Sequence, residues 1–225
     1  AVNYYLRADS IYRSLQSEYF RATPLNNAGT VFYHQGNYDS SLTYFKPTLE
    51  ILKKYDPEGD FINLVTINIG EVYVEQKDYV QGEKWLKQGL ESALKREDKR
   101  NKGIAYRILA KYNIEQKNFK EAEFQAFKAY EYEGDSGEIE QRTDIYNQIG
   151  IVKYQLKQYN EAIEWLDKNI KVSESIGFLK FLYPAYYYSA LSYNEIGRKD
   201  TALRRLKRSI EVLEKISSQI TGGAE

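Results

Sequence analysis

The chain has one histidine, His34, and no cysteine. Imidazole chemistry has a single residue to work with, and a Cys/His zinc site or a thiol nucleophile has none. His34 reads as a plain surface or groove side chain. Carboxylates are plentiful, but the acidic run EGDSGEIE at 133–140 lacks EF-hand spacing and reads as a solvated loop. SALK at 92–95 fits S-x-x-K without its companion motifs, and no glycine-rich phosphate loop occurs. Arg204, Arg205, Lys207 and Arg208 cluster near the C-terminus and read as a solvated outer helix face. No clustered acid/base pair stands out, so we expect a non-catalytic protein without cofactor or metal. The most conspicuous stretch left is YPAYYYSALSY, residues 183–193, with tyrosine at 183, 186, 187, 188 and 193.

Composition narrows the partners. Lys+Arg and Asp+Glu are both 32, so the net charge is zero, and a nucleic-acid partner held by bulk electrostatics is not expected. No apolar run approaches the roughly 18 residues of a membrane span, so no membrane insertion is expected either. The apolar fraction of 42% beside 28% charged residues is that of a folded soluble chain, with the compartment open between cytoplasm and periplasm. The N-terminal AVNYYLRADS has no basic-then-apolar signal pattern. Methionine is absent even at position 1, which leads us to expect a processed or excised piece of a longer protein.

The elements that position these residues come from a repeat. Small residues recur at Gly29, Gly70, Ala110, Gly150 and Ala190, spaced by 41, 40, 40 and 40. Nine positions on stand Tyr38, Tyr79, Phe119, Tyr159 and then Lys199. Twelve on stand Ser41, Gly82, Ala122, Ala162 and Ala202, and sixteen on Phe45, Leu86, Ala126, Leu166 and Leu206. Turn signals GNY, KDY, KNF, KQY and GRKD fall between the halves. Apolar residues recur at i, i+3/i+4 and i+7, and no stretch alternates like a strand. The reading is all-α, with two helices per repeat at about 22–58, 59–98, 99–138, 139–178 and 179–217, stacked as a solenoid. Residues 1–21 are expected as an N-terminal helix, with the second helix of a preceding, truncated repeat as the alternative and Leu6, Ile11 and Leu15 on one stripe, and 218–225 as a flexible tail. Pro47 falls inside the second helix of the first repeat, so that helix either bends or starts later.

The closest copies, LNNAG…NYDSSLTYF (25–45) and YNQIG…QYNEAIEWL (146–166), resemble the tetratricopeptide repeat in its longer-period form. The resemblance covers residues 22 to about 217. It implies a right-handed superhelical solenoid of five such repeats, a protein or peptide ligand, and a concave groove lined by the first helix of each repeat. It also places Tyr186 and Tyr193 in core slots, leaving Tyr187 and Tyr188 on the groove face. Asn27 and Asn68 fall at one groove position and Asn147 beside it, where amides in similar repeats hold a peptide backbone. Capping or inter-repeat hydrogen bonding is an equal reading for them. Glu71, Arg107, Lys111, Tyr187 and Tyr188 complete the candidate groove. The basic set that clamps a C-terminal carboxylate is missing, and so is the family proline. A sensory or regulatory region of a larger bacterial signalling protein is the alternative to a scaffold. The truncated start and the apolar Leu203, Leu206, Ile210 and Leu213 also raise a homodimer formed by end-to-end stacking.

Overall fold

The structure is a computed structural model that describes residues 1–134 and 137–222. Among these residues it is all-α, with no strand. Helix α1 (Val2–Ser14) leads through a 3-10 turn (Glu18–Arg21) into five helix pairs. These are α2 (Ala22–His34) with α3 (Tyr38–Tyr55), α4 (Asp60–Glu75) with α5 (Tyr79–Lys95), and α6 (Lys99–Glu115) with α7 (Phe119–Glu133). They continue as α8 (Ile139–Gln155) with α9 (Tyr159–Ile176), and α10 (Leu179–Glu195) with α11 (Lys199–Gly222). The chain divides into two compact units, Ala1–Tyr112 and Asn113–Glu225. In the first unit α1 packs on α2, α2 on α3, α3 on α4 and α4 on α5; in the second, α7 on α8, α8 on α9, α9 on α10 and α10 on α11.

The hairpins close because a small residue faces a large one. A Cβ built on Gly29 would lie 2.7 Å from the Phe45 ring, one on Gly70 2.8 Å from Leu86, and one on Gly150 2.5 Å from Leu166. Phe45, Leu86 and Leu166 are fully buried there. The position twelve after the anchor is just as tight: the buried Ser41 hydroxyl donates to the Gly29 carbonyl at 2.9 Å, and a Cβ on Gly82 would lie 2.7 Å from Val74.

Each hairpin turns through one left-handed residue seven positions after the anchor. These are Gly36, Lys77, Lys117, Lys157 and Gly197, with φ of 73°, 65°, 59°, 61° and 78°. The next residue's amide reaches back to close the first helix, as Gln158 does to the Lys153 carbonyl at 2.8 Å and Arg198 to Tyr193 at 2.9 Å. Side-chain caps then start some second helices: Asn37 accepts from the Ser40 amide and Asp78 from the Gln81 amide, both at 3.2 Å.

Several expectations change. Helix α1 stops at Ser14, short of the 1–21 expected, because Gln16 takes a left-handed conformation. Its Ile11 and Leu15 are exposed, and its buried residue is instead Asp9, paired with Arg21 at 2.7 Å. Helix α3 starts at Tyr38 and runs through Pro47, so the later start is excluded. The last helix reaches Gly222, inside the stretch expected as tail, and residues 223–225 lie outside the described ones. Residues 135–136 of the expected acidic loop also lie outside them.

A lysine pays a steric cost in the left-handed region that glycine does not. Lys77→Gly and Lys157→Gly should each stabilise the fold by about 0.5–1 kcal/mol. Gly197→Ala, with open space at its Cβ, should destabilise it by a similar amount. Urea unfolding midpoints check all three; unchanged midpoints would mean the turns carry no strain.

Candidate ligand-binding face of the first helices

In the first unit, Asn26, Asn27, Tyr33, Asn68, Glu71, Glu75, Arg107 and Lys111 come from α2, α4 and α6. They cluster beside the anchor positions Gly29, Gly70 and Ala110 of these helices. The amides form a chain: Asn68 Nδ2 donates to Asn26 Oδ1 at 3.3 Å, and Asn26 Nδ2 to Asn27 Oδ1 at 3.5 Å. Asn26 is buried, while Asn27 and Asn68 are half-buried. Beside it, Glu75 accepts from the Tyr33 hydroxyl at 3.3 Å and pairs with Lys111. Burial raises the Tyr33 phenol well above its ordinary value, and the Glu71 and Glu75 charges raise it further; Arg107 offsets part of this. Glu71, Arg107 and Lys111 are half-buried.

In the second unit Asn147 departs from its expected neighbours. It is buried, and its Nδ2 donates to the Phe181 carbonyl at 2.8 Å, a carbonyl that Asn169 also reaches at 3.1 Å. The bond ties α8 to α10, so this amide serves inter-repeat contact. Neighbouring Gln148 is 4% exposed, and neither of its amide atoms has a hydrogen-bond partner among the described residues.

The five tyrosines of 183–193 separate. Tyr186 is core, at 5% exposure, with its hydroxyl donating to Glu174. Tyr193 is half-buried under the Arg205 guanidinium, 5.8 Å from its ring centre. Tyr183, Tyr187 and Tyr188 form a ring cluster that extends to Tyr154 and Tyr159 on α8 and α9. Tyr187 and Tyr188 meet edge to face at 5.3 Å, Tyr188 and Tyr154 at 5.6 Å, and Tyr154 stands 5.8 Å from Tyr159. Tyr154, Tyr183 and Tyr188 pack against the core formed by Leu166, Leu182 and Tyr186.

The basic cluster of α11 borders a cavity of about 350 Å³ with Ile170, Glu174, Tyr186, Arg204, Arg205 and Arg208 in its wall. Its charges are largely spent within the fold. Arg205 pairs with Asp167 at 2.9 Å and Arg208 with Glu211 at 2.8 Å. Among the described residues no group of three His, Asp or Glu side chains could hold a metal, and no helix is long and apolar enough to cross a membrane.

Sequence reasoning did not single out Glu75 as the hub of the polar network. Its signal was available: it stands five positions after its anchor, as Glu115, Gln155 and Glu195 do.

Comparison with known proteins gives a family match in two segments. The tetratricopeptide repeat model matches residues 21–55 and 142–176, the pairs α2–α3 and α8–α9. No curated protein matches the chain. Among solved structures, MamA is 22% identical with a TM-score of 0.58, over 84% of this chain and 96% of that one. BtubC (BKLC) from P. vanneervenii is 12% identical with a TM-score of 0.78, over 96% and 91%. A Rap protein complexed with Competence and Sporulation Factor is 20% identical with a TM-score of 0.71, over 90% of this chain and 56% of that one. At these identities the likeness is one of fold.

Proposed function

We propose that this chain, a tetratricopeptide-repeat protein, is a protein-interaction scaffold that holds an extended peptide against its first helices. The observation that carries the reading is the polar face of the first unit. Asn27 and Asn68 offer half-buried amides, each both donor and acceptor, as a peptide backbone requires. Glu71, Arg107 and Lys111 stand beside them with both signs of charge. A ligand there replaces weak internal contacts, such as the 3.5 Å bond between Asn26 and Asn27, with its own. Tyr187 and Tyr188 supply ring surface in the second unit. Asn147, buried and bonded to a backbone carbonyl, positions α10 and is not a ligand contact in this reading. A solved structure of similar fold, the Rap protein, is complexed with a factor, which supports the assignment.

A second partner is another copy of the chain. Leu203, Leu206, Ile210 and Leu213 on α11 are 55%, 38%, 49% and 41% exposed. Forty residues earlier, Ile163, Leu166, Ile170 and Ser173 on α9 are all buried, and α10 packs on that helix. Helix α11 thus repeats an apolar face that α9 buries. We propose that a second copy covers this face, with the exposed Ile11 and Leu15 of the first unit as candidate contacts.

Panning a random peptide display library on the protein should enrich a motif that the Asn68→Ala/Arg107→Ala double variant fails to retain. Enrichment that the variant keeps, or no enrichment, would remove the first unit's face as the binding site. Sedimentation equilibrium should show self-association that Leu206→Glu/Ile210→Glu abolishes. A monomer at high concentration would end the stacking proposal.

A further inference from the structure

Several rings among the described residues already hold a cation. Lys168 Nζ lies 3.9 Å from the Trp165 ring centre and 5.9 Å from Tyr130. Arg205 stands 5.5 Å from Tyr186, Lys46 5.7 Å from Tyr73, and Lys153 5.4 Å from Phe127. A ring face carries negative quadrupole charge, and a cation placed over it is stabilised. The cluster of Tyr154, Tyr159, Tyr187 and Tyr188 is a larger ring surface without one. Among the described residues, no lysine or arginine lies over any of its rings.

A counter-charge is nevertheless present. Glu195 sits seven residues after Tyr188 on α10, two helical turns along the same face. It is exposed and has no ion-pair partner among the described residues. Burial raises the Tyr154 and Tyr159 phenols, and the Glu195 carboxylate raises both further. The rings are held in place from behind. Tyr154 and Tyr188 pack on the core, and the edge-to-face contacts at 5.3 Å and 5.6 Å fix their mutual angles. Such a surface is preorganised: a ligand would not have to order it first.

We infer that the Tyr154–Tyr187–Tyr188 cluster with Glu195 is a recognition site for a cationic peptide side chain, with arginine favoured over lysine. A guanidinium is planar, stacks on rings and sheds its hydration more readily than an ammonium, while its fork can also reach the Glu195 carboxylate. The site deepens the peptide-scaffold reading and rests on it. It lies in the second unit, whereas the Asn68 and Arg107 positions that test that reading lie in the first.

The probe is a capped Gly-Gly-Arg-Gly-Gly peptide, with its lysine and citrulline counterparts, titrated into protein carrying ¹³C-labelled tyrosine rings. Tyr187→Phe and Tyr188→Phe assign the resonances. The arginine peptide should shift the Tyr154, Tyr187 and Tyr188 rings, the lysine peptide should do so more weakly, and the citrulline peptide should not. Tyr188→Leu and Glu195→Gln should each weaken the arginine peptide by about two- to thirtyfold. Glu195 is exposed, so its variant retains the fold and keeps the test valid if Tyr188→Leu does not fold. Equal shifts by citrulline, or affinity unchanged in Glu195→Gln, would overturn the inference. So would shifts confined to other rings. If the arginine peptide fails while a library-selected motif still depends on Asn68 and Arg107, this site falls and the scaffold reading stands.

Discussion

Three hairpins are each fastened by one contact, a glycine on the first helix against a large side chain sixteen residues later. Gly29 with Phe45, Gly70 with Leu86, and Gly150 with Leu166 leave no room for even a methyl group at the glycine. The helices approach closely there, and dispersion between buried surfaces acts over its short range. The chain must then reverse within a few residues, which forces a left-handed turn even where the residue is lysine. The first helices also carry polar and aromatic groups beside this contact.

In the first unit several of these polar groups are paired. A buried amide or carboxylate without a partner costs more than its hydrogen bond returns. The first unit meets the demand by linking successive first helices through their own side chains, Asn68 to Asn26 and Glu75 to both Tyr33 and Lys111. The second unit uses Asn147 on a backbone carbonyl and a cluster of rings. In the proposed reading the two faces therefore ask different things of a ligand. One must be out-competed for its hydrogen bonds; the other offers ring faces over which the protein has placed no charge.

The hairpin architecture was legible because its signals are local and recur. Anchor and turn return every 40 positions or so, and the structure puts a left-handed residue seven positions after each anchor. The candidate site was only partly legible. Register places Asn147 beside the slot of Asn27 and Asn68, but that one-position offset turns its amide toward the Phe181 carbonyl, and no pattern along the chain reports which partner an amide finds. The stripe of Ile11 and Leu15 had the right period for a packed face. What decided their exposure was Asp9, whose pairing with Arg21 turns another side of α1 inward. Tyr187 and Tyr188 were separable from Tyr186 by position alone, whereas the absence of a cation above them needs coordinates.

The measurement that bears most directly on this account is a double-mutant cycle on Gly150 and Leu166, read by equilibrium unfolding. Gly150→Ala alone should destabilise by about 1–3 kcal/mol, because the new methyl group collides with Leu166. In a Leu166→Ala background the same change should cost nothing or stabilise by up to about 1 kcal/mol, the ordinary helical preference for alanine over glycine. The third repeat, with Ala110 and Ala126 at these two positions, already carries that combination. An equal cost in both backgrounds would contradict the claim that the glycine exists to admit the large side chain.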